Sequence, residues 1–265
     1  MRILHLAVVT VATLLAAGCQ TPGWRPSTQD AVATAKPTAT PTGKSNAKPT
    51  GNSGFLDFNI YPYTEVRSDN AFTMNALVNM PDNLQYFGFV NLGRDASRDE
   101  LEETDSYLTE QNLRWTIPET NGLLQVTAQA FLRSGIDNDA LRLGLRLKMH
   151  KTPGVSFVCD AINLKYWVDV HALQFDHISG TQWQIEHVYR IDVLPALFDG
   201  RVYIGGFADH NINHESGPRH TWVQEAQLGV RTYGNVYLVV EQRYNGYRVN
   251  NKSSVGVGVE YVMRF

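Results

Sequence analysis

The segment from Asp209 to His220 holds three of the eight histidines in this 265-residue chain. Together, Asp209, His210, His214 and Glu215 offer two imidazoles and two carboxylates, which are donor types that first-row divalent metals accept. The same segment contains asparagine, glycine, serine and proline, so its backbone is expected to be a loop that does not hold four ligands in fixed positions. We therefore expect a solvated histidine-rich loop, no metal site and no cofactor.

His214 and Ser216 are two residues apart, a spacing that would place both side chains on one face of a strand. This spacing resembles that of outer-membrane phospholipases and lipid A deacylases, and the resemblance implies a histidine that activates a nearby serine. Gly217 stands where an asparagine commonly follows the serine in those enzymes, and the orienting partners would be Glu225 or Gln227. An outer-membrane lipid hydrolase is therefore kept as an alternative function.

The elements that position these side chains are expected to be β-strands, because the sequence beyond residue 54 alternates between apolar and polar residues. On one predicted strand, Leu141, Leu143 and Leu145 alternate with Arg142 and Arg146. The same period of two recurs between turn signals along the rest of the chain. The predicted strands are 55–66, 71–80, 84–93, 106–117, 123–133, 140–149, 162–176, 181–194, 201–211, 220–233, 236–248 and 254–265. The segment 150–161 is long for a tight turn.

Such alternation fits either a soluble sandwich with its apolar face inward or an outer-membrane barrel with its apolar face toward lipid. Short connections alternate with longer ones, and aromatic residues lie at strand ends, as the two aromatic girdles of a membrane barrel require. These aromatic residues are Phe55, Tyr107, Trp115, Trp183, Trp222, Tyr244, Tyr261 and Phe265. The sequence therefore predicts an all-β fold, an antiparallel up-and-down transmembrane β-barrel of about 12 strands. A lipidated periplasmic β-domain is the alternative.

The chain ends within its last predicted strand, in VGVGVEYVMRF. This end resembles the terminal signal of outer-membrane barrels, in which a C-terminal aromatic residue follows apolar residues at every second position. Phe265, Met263 and Tyr261 occupy the matching positions. The resemblance implies that the barrel-assembly machinery recognises this end and that the protein lies in the outer-membrane lipid bilayer of a Gram-negative bacterium.

The first residues have the features of an export signal, because Arg2 precedes a short apolar run and small residues. The sequence LAAGC, which ends at Cys19, resembles the lipobox of bacterial lipoproteins, and the resemblance implies cleavage before Cys19 and lipidation of that residue. Residues 19–54 are rich in proline and threonine, and they contain too little apolar surface to fold. We predict a signal peptide at 1–18, a disordered periplasmic tether at 19–54 and a barrel at 55–265.

The polar face of each predicted strand would line the lumen of this barrel. Basic residues fall on strands five to seven, and acidic residues fall on strands ten to twelve and one, so that the two sets would face each other. The basic set is Arg133, Arg142, Arg146, Lys148 and Lys165, and the acidic set is Asp57, Glu65, Glu225, Glu241 and Glu260. Aromatic residues at lumen positions are Tyr61, Tyr63, Trp167, Tyr233 and Tyr237. Two alternatives remain open, namely a transverse field across a water-filled pore and a lumen closed by ion pairs.

A net charge of −3 without a basic stripe argues against a nucleic acid polymer as partner. A polar, charged lumen favours a channel or porin-like protein for small polar solutes over an enzyme. Twelve strands around an aromatic and polar lumen resemble the nucleoside-specific channel family in architecture alone. That resemblance implies nucleoside-like or sugar-like solutes, and no site residue is transferred from it.

Overall fold

The computed structural model of this protein describes residues 52–65, 70–93, 106–134, 139–175, 183–212, 220–247 and 252–265. These residues form twelve strands, each antiparallel to its neighbours in the sequence, and the first pairs with the last to close a barrel. The strands are β1 Ser53–Glu65, β2 Asn70–Asn79, β3 Leu84–Gly93, β4 Ser106–Thr116, β5 Leu124–Arg133, β6 Ala140–Lys148, β7 Leu164–Phe175, β8 Trp183–Asp192, β9 Val202–Ile212, β10 His220–Tyr233, β11 Val236–Asn245 and β12 Ser253–Arg264. The predicted fold class is confirmed.

The barrel is apolar outside and polar inside, as β6 shows most clearly. Leu143 and Leu145 are 37% and 49% exposed, whereas Arg142 and Arg146 on the same strand are 8% and 5% exposed. Successive side chains of a strand point to opposite faces of the sheet, and when the sheet closes into a barrel one of those faces lines the lumen. A closed barrel leaves no strand edge unpaired, and its apolar exterior suits hydrocarbon, so this is a transmembrane barrel.

Both ends of the described chain lie at one end of the barrel, which we call the terminal end, and the opposite end is the loop end. Terminal-end connections include two short helices, α1 (Ser156–Ala161) and α2 (Pro195–Phe198). The segment 150–161 is thus a 3-10 turn followed by α1, which explains its length. In the described ranges, no helix is long and apolar enough to cross a membrane. The predicted long connections are loop-end segments that fall largely outside the described residues.

The predicted aromatic residues form two outer belts, with one exception. Tyr107, Trp183, Trp222 and Tyr244 lie near the loop end, and Trp115, Tyr261 and Phe265 lie near the terminal end. The assignment of Phe55 to a girdle was wrong. Phe55 pairs with Arg264 in the β1–β12 register and packs against a buried cluster inside the lumen.

Candidate functional site

The lumen contains eleven of the charged and aromatic residues that alternation placed there. They are Asp57, Tyr61, Arg133, Arg142, Arg146, Lys148, Lys165, Trp167, Glu225, Glu241 and Glu260. Tyr237 also faces the lumen and is buried. The prediction for Tyr233 was wrong, because it follows a register irregularity near the end of β10 and is 85% exposed. The side chains of Tyr63 and Glu65 lie outside the described part of the structure.

One half of the lumen is filled by an arginine–carboxylate cluster on β4, β6, β7 and β8. Its centre is Asp169, whose carboxylate lies 3.2 Å from Nε of Arg146 and 3.7 Å from a terminal nitrogen of Arg114. Beside it, Nε2 of His171 is 3.8 Å from the carboxylate of Glu186. We define the cluster as Glu110, Arg114, Arg146, Asp169, His171 and Glu186, all of which are buried.

Aromatic and amide side chains hold the arginines of this half in place. The guanidinium of Arg114 lies 5.3 Å from the Phe87 ring centroid, and that of Arg146 lies 5.3 Å from the Trp167 ring centroid. Arg142 donates hydrogen bonds to the side-chain oxygens of three glutamines at 2.7–3.0 Å. These glutamines are Gln129, Gln174 and Gln184. Cation–π contacts therefore orient Arg114 and Arg146, and charge-assisted hydrogen bonds orient Arg142.

The prediction that basic and acidic residues occupy separate arcs was incomplete. Glu110, Asp169 and Glu186 lie among the arginines, because a buried guanidinium needs a nearby counter-charge. The sequence analysis missed Arg114 and His171 as members of this cluster. Their signal was the same alternation on β4 and β7, but only the strand register shows that these side chains meet.

The other half of the lumen contains a tyrosine–glutamate network on β1 and β9–β12, which we define as Tyr61, Tyr203, Gln227, Glu241 and Glu260. The Tyr61 hydroxyl donates to Glu241 and lies 2.9 Å from the amide oxygen of Gln227. The Tyr203 hydroxyl donates to Glu260 and accepts from the Gln227 amide. Phenol hydroxyls thus donate to both buried carboxylates, the Gln227 side chain connects the two phenols, and Glu241 also lies 3.1 Å from Nε of Arg243.

Glycines make room for the tyrosine rings of this network. A Cβ at Gly229 would overlap the Tyr203 ring, and one at Gly258 would overlap both the Ile60 carbonyl and the Tyr61 ring. The two rings therefore lie flat against the barrel wall at positions where only glycine fits. Tyr203 also has the guanidinium of Arg190 at 4.0 Å from its ring centroid.

Both mouths of the lumen are more accessible than its middle. At the terminal end, a cleft of about 60 Å³ is lined by acidic, basic and aromatic side chains, namely Phe55, Asp57, Arg190, Tyr203, Tyr237, Glu260, Val262 and Arg264. Toward the loop end, Arg243 and Glu225 form an ion pair at 22% and 16% exposure. The arginine–carboxylate cluster is buried between the two mouths, and Tyr203 and Glu260 of the tyrosine–glutamate network reach the terminal-end cleft.

The residues considered in the sequence analysis for metal binding or catalysis do not come together in the described part of the structure. Asp209 faces the lumen opposite Glu186, whereas His210 faces outward, pairs with Trp222 and stacks on it at 4.4 Å. Successive strand residues point to opposite faces, so these two side chains cannot bind one metal ion. His214, Glu215 and Ser216 lie outside the described residues, as does Cys19, and Glu225 contacts Arg243. Phe265, Met263 and Tyr261 are exposed on the terminal half of the outer surface.

Comparison with known proteins gives similarity in structure alone. No protein-family model matches the chain, and no curated protein matches it. A KdgM porin is similar at 14% identity and a TM-score of 0.45, with 79% of this chain and 98% of that chain covered. An outer-membrane channel described as COG4313, from Pseudomonas putida F1, is similar at 11% identity and a TM-score of 0.43. That similarity covers 86% of this chain and 100% of the channel. None of these similarities identifies a solute for this protein.

Proposed function

We propose that this protein is an outer-membrane channel that conducts ions and small polar solutes through a narrow, charged lumen. The observation that carries the proposal is a closed barrel with an apolar exterior and ionisable side chains along its interior. Charged side chains in a barrel interior set selectivity by interacting with the passing solute. The accessible Glu225–Arg243 pair toward one mouth and Arg190 near the other give a solute charged groups to contact at both ends.

The buried middle of the lumen limits what passes. Arg146, Asp169 and Glu241 are all under 10% exposed, so a large solute would have to displace paired side chains. We therefore expect low conductance and small solutes. A nucleoside-like or sugar-like solute, which the architectural resemblance in the sequence implied, is the finer form of this proposal. Trp167 is half-buried and would be the aromatic side chain that stacks against such a solute, whereas Tyr61 is only 4% exposed and would shape the wall behind it.

Ion conductance in planar bilayers tests the proposal on the full-length protein. Wild type should give discrete conductance steps, and Glu225→Gln should shift the reversal potential in a salt gradient toward anion preference, because it removes a negative charge from the lumen and one of the two carboxylates that Arg243 contacts. Glu119→Gln is the matched control, since Glu119 lies on an exposed terminal-end turn outside the lumen. Folded wild-type protein that gives no steps would contradict the channel.

The amino-terminal organisation is a further part of this proposal. We infer that residues 1–18 are a signal peptide, that Cys19 carries lipid and that residues 19–54 tether the barrel in the periplasm. The lipobox-like sequence before Cys19 supports this assignment. Mass spectrometry of the mature amino terminus should show a lipidated cysteine that Cys19→Ser lacks, and an unmodified first residue in the wild type would contradict it.

The carboxyl-terminal residues lead to a related expectation about assembly. Deletion of Phe265 should lower the amount of protein in the outer membrane if the barrel-assembly machinery recognises this end. Quantitative immunoblotting of outer-membrane fractions measures the change. Unchanged abundance and unchanged protease protection would contradict the expectation.

A further inference from the structure

The side chains of Asp169, His171 and Glu186 lie close together inside the lumen. The ion pairs described above account for only part of this arrangement. One ligand-type atom from each of the three residues lies within 4.8 Å of the other two. Asp169 and His171 are two residues apart on β7 and therefore share its lumen face, and Glu186 on β8 is the register partner of Asp169. Two adjacent strands thus bring the three side chains together on a rigid wall.

His171 is the decisive member of this group. It is 1% exposed, and among the described residues neither of its ring nitrogens has a hydrogen-bond partner. Buried polar groups in folded proteins are nearly always hydrogen-bonded, so an unpartnered imidazole that points at two carboxylates calls for a further ligand. The 3.8 Å between Nε2 of His171 and the Glu186 carboxylate is too long for a hydrogen bond and leaves space for an ion between them.

We propose that Asp169, His171 and Glu186 bind one first-row divalent metal ion, of which Zn²⁺ is the test case, in the lumen of the barrel. One imidazole with two carboxylates is a donor set that such ions accept, and three protein ligands leave a coordination position for water or solute. Asp209, the register partner of Glu186, adds a further carboxylate beside the site. The site stands on the geometry of the described lumen and holds whether or not the barrel conducts.

Arg114 and Arg146 lie close to Asp169, and their charge opposes a cation at the site. Four carboxylates in the same region offset the positive charge of the two arginines. They are Asp169 and Glu186 of the site, together with Glu110 and Asp209. The competing explanation is a protonated His171 that forms an ion pair with Glu186 and binds no metal. The experiment below separates the two, because only the metal site gives saturable binding of Zn²⁺.

The test is isothermal titration of Zn²⁺ into the full-length protein in detergent, purified without a polyhistidine tag. The outer surface carries a second histidine pair, in which Nε2 of His210 is 3.2 Å from Nδ1 of His220. The background protein is therefore the His210→Gln/His220→Gln double variant, which should bind one equivalent of Zn²⁺. Adding His171→Gln or Glu186→Gln should weaken that binding by more than about tenfold, because each change removes a direct ligand.

Two results would overturn the site. One is a folded background protein that takes up no Zn²⁺, and the other is unchanged affinity in a folded His171→Gln variant. If neither ligand variant folds, X-ray absorption of Zn²⁺ on the background protein decides, since one imidazole among oxygen ligands supports the site and its absence excludes it. Loss of conductance on adding Zn²⁺ would be a separate consequence of the channel, so a barrel that does not conduct leaves the titration intact.

Discussion

The arginine–carboxylate cluster and the tyrosine–glutamate network bury carboxylates in the same lumen, but they neutralise them differently. In the cluster, Asp169 lies between two guanidinium groups that are themselves buried. In the network, the Tyr61 and Tyr203 hydroxyls donate to Glu241 and Glu260, and Glu241 also lies 3.1 Å from Nε of the more accessible Arg243. The first arrangement depends on charge balance, and the second depends on rings that fit against glycine. The comparison predicts that the two halves respond to different kinds of substitution.

Among the variants that are expected to fold, the largest expected effect is from Asp169→Asn. Without this carboxylate, Arg114 and Arg146 lose their shared buried counter-charge, and breaking a buried ion pair costs about 3–5 kcal/mol. The free energy of unfolding, measured by denaturant titration of the protein in detergent, should fall by that amount. Asp192→Asn is the control, because its partner Arg190 is 33% exposed and such pairs contribute only about 0–1 kcal/mol. Equal losses in both variants would remove the distinction between buried and accessible pairs.

Leu145→Arg measures the outer face beside the cluster. Leu145 faces lipid near the middle of β6, where an added arginine costs about 2–4 kcal/mol. The folded yield and the free energy of unfolding should both decrease.

Arg146→Glu changes the next residue of β6, which faces the lumen. Alternation alone would predict that this change is tolerated. The structure predicts instead that this variant fails to fold, because it adds a carboxylate beside buried Asp169. A well-folded Arg146→Glu variant would show that the cluster tolerates charge reversal.

Gly229→Ala tests the packing of the tyrosine half. The added Cβ overlaps the Tyr203 ring and should cost about 1–3 kcal/mol through overpacking. Gly205→Ala is the control on the neighbouring strand, because there the nearest Tyr203 ring atom is 3.7 Å away, an ordinary contact distance. In one denaturant series, Gly205→Ala should have a higher free energy of unfolding than Gly229→Ala. If they match, the ring moves freely and the network is not set by packing.

The smallest expected change in stability is from Lys165→Gln at the accessible mouth of the arginine half. Lys165 is exposed, so its replacement should alter the free energy of unfolding by no more than about 0.5 kcal/mol. It should nevertheless shift the bilayer reversal potential toward cation preference, because it removes a positive charge from the lumen. Lys151→Gln removes the same charge from an exposed terminal-end turn and should leave the reversal potential unchanged. Identical shifts would show that the lumen charges do not set selectivity.

The sequence by itself determined the twelve strands and which face of most strands is polar. This information is local, because period-two alternation over about ten residues is enough to fix both the strand and its two faces. The predicted and observed strand bounds differ by only a few residues, as for β6, predicted at 140–149 and observed at Ala140–Lys148. The errors at Phe55 and Tyr233 lie at strand ends, where a side chain's face depends on the register and on the neighbouring strand.

The tertiary structure alone decided which charges meet. Alternation gives Arg146, Asp169 and Glu186 the same face, but their contacts depend on the registers of β6, β7 and β8. Register results from summed pairing around the whole closed barrel, so no local pattern contains it. For the same reason, alternation alone did not show that Glu110, Asp169 and Glu186 lie among the buried arginines. Closure brings side chains from distant parts of the chain into one narrow lumen, where each buried charge must find a partner.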